Sequence, residues 1–75
     1  MNESNKKVLA ALYKTVVESD DAVALNSVAD AAWELGVVQN IDIGFHELSE
    51  LAQSKIAGTT EGNSRYTEVI EKNLA

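Results

Sequence analysis

The sequence predicts an all-α protein: a compact bundle of three to four short helices, with one short extended segment near 37–43, forming a single helical domain over 1–75. Three observations carry that expectation. Apolar residues recur at helical spacing in four separate stretches. Capping residues and glycines fall between those stretches. No proline interrupts any of them.

The first helix is expected from Ser4 to about Ser19, where Val8, Leu9, Leu12, Tyr13, Val16 and Val17 form one wide stripe. Ser4 or Asn5 is the expected cap, and Lys6, Lys7 and Lys14 lie off the stripe. Ser19-Asp20-Asp21 breaks the pattern. A second helix then follows to Leu35, capped by Asp21 or Asn26, with Leu25, Val28, Ala29, Ala32 and Leu35 as its apolar face. The small side chains of Ala29, Ala31 and Ala32 would let a neighbouring backbone come close. Gly36 stands where a left-handed residue would end that helix.

Val37 to Ile43 is rich in β-branched residues and alternates at Ile41-Asp42-Ile43, which predicts an extended connector or one short strand. A third helix is expected from Asp42–Gly44 to Ala57, burying Phe45, Leu48, Leu51, Ala52 and Ile56. With Gly44 as N-cap, Glu47 falls at N3, and Ile43 and Leu48 could form a hydrophobic staple. Gly58 stops this helix, and the stretch from Gly58 to Asn63 reads as a loop. A short last helix starts at Asn63 or Ser64 with Tyr66, Val69, Ile70 and Leu74 on one face.

Charge is distributed unevenly. The net charge is −6, and no lysine or arginine occurs from Thr15 to Ser54. That stretch carries Glu18, Asp20, Asp21, Asp30, Glu34, Asp42, Glu47 and Glu50. Clustered cations are what a phosphate backbone needs, so direct nucleic-acid binding is not expected. An acidic field instead favours encounter with a basic protein partner, although a solvated acidic face that only keeps the chain soluble has the same pattern. The chain has no cysteine, in keeping with a reducing cytoplasm. No apolar run approaches the ~20 residues of a membrane span, and the polar start lacks a signal-peptide core. A chain this small buries about 60% of its unfolded surface. Without disulfides, self-association into a homo-oligomer, a dimer, through the first or second helix is the expected support.

Catalytic, metal and cofactor groupings are weak. His46-Glu47-Leu48-Ser49-Glu50 has Glu50 where the helical H-E-x-x-H metal motif places its second histidine. Roughly 100° and 140° from Phe45 around the helix, His46 and Glu50 leave the buried stripe, where nothing supplies a third ligand or excludes water. Gly58 and Gly62 lack the G-K-[ST] ending of a phosphate loop. The six serines and one histidine form no serine–histidine–acid pattern legible in sequence. No enzyme activity, metal or cofactor is therefore expected. Size and acidity bring acyl carrier proteins to mind, but the Asp-Ser-Leu of that family is absent.

Val28-Ala29-Asp30-Ala31-Ala32-Trp33-Glu34-Leu35-Gly36-Val37 loosely resembles the first helix and turn of a helix-turn-helix. The following helix would then read DNA, yet it offers Asp42, Glu47 and Glu50 and no cation before Lys55. Trp33, the single tryptophan, sits at the margin of the second helix's apolar face, either a core or intersubunit residue or an interface anchor. The expected function is a non-enzymatic regulatory or inhibitory protein, of the bacterial or phage accessory type, acting by stoichiometric protein–protein binding. Asp30, Trp33, Glu34, Glu47 and Glu50 are its expected partner-binding residues. The alternatives are a helix-turn-helix-like transcriptional regulator module and an acidic DNA mimic that blocks a nucleic-acid-binding protein.

Overall fold

The computed structural model describes residues 2–41 and 43–75, and of Ile43 the backbone alone. Four α-helices, α1 (Glu3–Glu18), α2 (Ala22–Trp33), α3 (Ile43–Ala57) and α4 (Asn63–Leu74), pack as a bundle, with a π-helical turn (Glu34–Val38) continuing α2. No strand occurs among the described residues.

Each start has a local cause. Asn2, rather than Ser4 or Asn5, caps α1: its side chain accepts from the Asn5 amide at 2.8 Å. Asp21 caps α2 by accepting from the Val23 amide, whereas Asn26 lies inside that helix. Gly62, in the left-handed region at φ 83°, precedes α4. Helix α3 starts at Ile43, which puts Gly44 within the helix and not at its cap. Asp42 and the Ile43 side chain lie outside the described residues, and so does the Ile43–Leu48 staple.

The end of α3 is a Schellman motif. Gly58 adopts φ 74°, its amide donates to the Lys55 carbonyl at 3.2 Å, and the Thr59 amide donates to the Ser54 carbonyl at 3.0 Å. The end of α2 departs from expectation. Gly36 does not turn left-handed. It is buried inside the π-helical turn, where an added Cβ would come within 2.6 Å of the His46 amide nitrogen and 2.9 Å of Phe45 Cβ. Close approach, not backbone conformation, is what demands glycine there. The left-handed role passes to Asn40, at φ 52°, the side chain that visits that region most readily after glycine. The Gln39 amide donates to the Glu34 carbonyl at 2.9 Å and the Ile41 amide to the Leu35 carbonyl at 3.0 Å. Residues 37–41 are therefore a widened helical turn and its exit, in place of the expected extended segment.

The core consists of Leu9 and Val16 from α1; Leu25, Val28, Ala29 and Ala32 from α2; Phe45, Leu48, Leu51 and Ala52 from α3; and Ile70 from α4. Leu12, Tyr13, Leu35, Tyr66 and Leu74 pack around it, half-buried. Of the small residues of α2, Ala29 and Ala32 are buried and Ala31 is exposed. Facing them, the buried Ser49 donates its hydroxyl to the Ala29 carbonyl at 3.0 Å, a bond that requires the two backbones to lie close. Val8, Val17 and Ile56, expected on buried stripes, are exposed, Val17 the most. A small core is filled before such wide stripes are used up. No helix among the described residues is long and apolar enough to cross a membrane.

Candidate protein-docking site

The chemistry of the α2–α3 face starts from a packed polar relay. Ser49 sits in the apolar series Phe45, Leu48, Ala52, one turn beyond Phe45, so helical geometry carries its hydroxyl into the core. There it donates to the Ala29 carbonyl, and it accepts from Gln53 Nε2 at 3.0 Å. Gln53 is thereby held at the edge of an open cleft of about 410 Å³, lined by Asn26, Ala29, Asp30, Trp33 and Gln53.

Trp33 is 42% exposed, too much for a core residue. Its ring lies 6.0 Å from that of His46, tilted by 57°. His46 Nε2 stands 3.7 Å from Glu50 Oε1, and Nδ1 stands 3.6 Å from Glu47 Oε2, contacts that become ion pairs when the imidazole is protonated. Asp30 and Glu34 are exposed on the α2 side, and Gln39 Nε2 reaches Glu34 Oε1 at 3.4 Å.

Four of the five expected residues therefore share one surface. Asp30 and Trp33 line the cleft, Glu34 follows directly on the same helical run, and Glu50 is joined to Trp33 through His46. Glu47 behaves differently. Its side chain is only 15% exposed, and Oε1 is buried with no hydrogen-bond partner among the described residues. It belongs to the packing beneath the face, because His46 and Glu50 take the outward positions of that turn. Asn26, Ser49 and Gln53 were not legible as site residues. The one available signal was Ser49, a polar residue at an apolar position of the α3 stripe.

Helix α3 would be the reading helix of a helix-turn-helix. Its first cation, Lys55, is turned onto α1, donating from Nζ to the Val16 carbonyl at 2.6 Å. A second open cleft of about 410 Å³, between α1, α3 and α4, has Val16, Val17 and Leu51 as its apolar lining. Among the described residues its one cation is the same Lys55, whose ammonium is already engaged by Val16, Val17 and, at 3.6 Å, Asp20. Among the described residues no three histidine, cysteine or acidic side chains are grouped to hold a metal ion. Comparison with known proteins finds no family model, no curated protein and no solved structure that matches this chain.

Proposed function

We propose that this chain is a non-enzymatic regulatory or inhibitory protein of the cytoplasm that acts by binding another protein stoichiometrically. Docking is through the Trp33 face of α2 and α3. The observation that carries this reading is an exposed tryptophan set among Asp30, Glu34 and Glu50, within a stretch that has no lysine or arginine from Thr15 to Ser54. Tryptophan is enriched at the centres of interfaces, and carboxylates around it steer a basic partner and raise its association rate. The helix-turn-helix alternative is less well supported, since the reading helix would present Glu50 to phosphate and hold Lys55 against α1.

The test is triple reversal of Asp30, Glu34 and Glu50 to lysine, with the partner captured from a host lysate. Circular dichroism should stay close to wild type, because Asp30 and Glu34 are exposed and Glu50 is half-buried at the surface, where substitutions move stability by only about 0.5 kcal/mol each. Association should slow markedly, and wild-type association should slow with salt as charges are screened over roughly 10 Å. A folded variant that associates as fast as wild type would reduce these acids to a solubilising surface.

A further inference from the structure

We propose that the cleft beside Trp33 is a receptor for an arginine side chain of the partner protein. This rests on the docking reading above and names the chemistry that the docked surface must present. The cleft carries acceptors and a π face. The Asp30 carboxylate has no hydrogen bond or ion pair among the described residues. Gln53 spends Nε2 on Ser49, which leaves Oε1 without a partner among the described residues. The Asn26 carboxamide adds another acceptor to the lining, and the indole ring of Trp33 provides the π surface. No cation is among the lining residues.

Such a lining selects a donor-rich cation. A guanidinium carries five N–H donors and no acceptor. It stacks on an indole face, where cation–π attraction adds to hydrogen bonding, and it meets a carboxylate with a planar fork that an ammonium lacks. The relay from Ala29 through Ser49 to Gln53 holds one acceptor in place before binding, which lowers the ordering cost. A cleft of about 410 Å³ lies at the lower end of the range of ligand pockets, with room for the side chain and part of the flanking backbone. The stretch from Thr15 to Ser54 around the cleft has eight carboxylates and no lysine or arginine, a field that favours a basic surface, so the arginine is assigned to a basic partner protein.

The probe is the peptide acetyl-Gly-Arg-Gly-amide, titrated into the intact chain at low salt. Trp33 fluorescence and the side-chain amide resonances of Asn26 and Gln53 report occupancy. Saturable changes in all three are expected, with the lysine peptide several-fold weaker and the uncharged citrulline peptide without effect. Asp30→Asn should weaken the arginine peptide roughly tenfold, the scale of one charge-assisted hydrogen bond. Trp33→Phe, read from the amide resonances, should weaken it several-fold. Both substituted positions are exposed, and circular dichroism verifies that each variant is folded. Equal response to lysine and arginine, no saturable response, or a folded Asp30→Asn variant that binds like wild type would each overturn the proposal. Concentration-dependent Trp33 emission without peptide, abolished by Arg65→Gln, would give the cleft to a second copy and overturn the assignment to a different protein. Glu34 and Glu50 lie outside the cleft lining, so reversing those two alone reads association of the whole partner with the rim. A failure of the cleft is thus separable from a failure of the docking surface.

Discussion

The ammonium of Lys55, on α3, closes the last turn of α1 by donating to the Val16 carbonyl at 2.6 Å. The same group reaches the Val17 carbonyl at 3.3 Å and the Asp20 carboxylate at 3.6 Å. Helix α1 has no basic residue in its own last turn, so the cation that complements its carbonyl end comes from another helix. Removing that group while keeping the stem, in Lys55→Met, should cost about 1 kcal/mol. In a domain this size that lowers Tm by roughly 4–8 °C. Thermal unfolding followed by circular dichroism measures it, and an unchanged Tm would show that water replaces the ammonium at no cost.

Gly36→Ala tests the junction between the π-helical turn and α3. In an open helix the change would stabilise by about 0.8–1.0 kcal/mol. Here the new methyl would lie 2.6 Å from the His46 amide nitrogen, and overpacking of that kind costs about 1–3 kcal/mol. The clash is with backbone, which cannot swing aside, so the net effect should be destabilising. Urea denaturation decides the sign, and a variant as stable as wild type would contradict the close packing of this turn on α3.

Tyr13 predicts an alkaline signature. Its hydroxyl donates to Glu71 Oε2 at 2.8 Å. Burial, that hydrogen bond and the Glu71 charge together raise its pKa above the ordinary 10.0, against a smaller lowering by Thr67. Because the folded pKa is above the unfolded one, the native state holds the proton where the unfolded state has released it. The contribution to stability is therefore complete below pH 10 and is lost as pH rises through the folded value. The tyrosinate absorbance of wild type minus that of Tyr13→Phe isolates this group. Glu71→Gln should move its titration back toward 10, and a Tyr13 that titrates at its ordinary value would count against the contact.

Self-association is the fourth prediction. Val17 and Val23 are 59% and 72% exposed, and the core of so short a chain is small. Sedimentation equilibrium at micromolar concentration should give at least twice the 8.1 kDa chain mass, and Val17→Glu should shift it toward monomer. A stable 8.1 kDa species for wild type would remove the idea.

Short-range patterns were legible in the sequence because their causes lie within one or two helical turns. The alternation of apolar and polar residues located all four helices and most of the core. Asp21 marked the start of α2, and Gly58 the end of α3, through bonds reaching no further than five residues. The same locality made Asp30, Glu34 and Glu50 visible as residues off the buried stripes, and Trp33 as one at the margin of its stripe. Tertiary packing decided what remained. Gly36 is pressed against the backbone of α3, so the helix runs on through a π-helical turn and leaves the left-handed exit to Asn40. Glu47 and Glu50 look alike in sequence, yet only Glu50 stays near solvent, because the seating of α3 in the bundle determines which side chain of that turn is covered. The bonds that build the cleft and close α1 join residues 20 and 39 positions apart. Such partners meet only after the helices have packed, and no periodicity within a single helix encodes which of them will face each other.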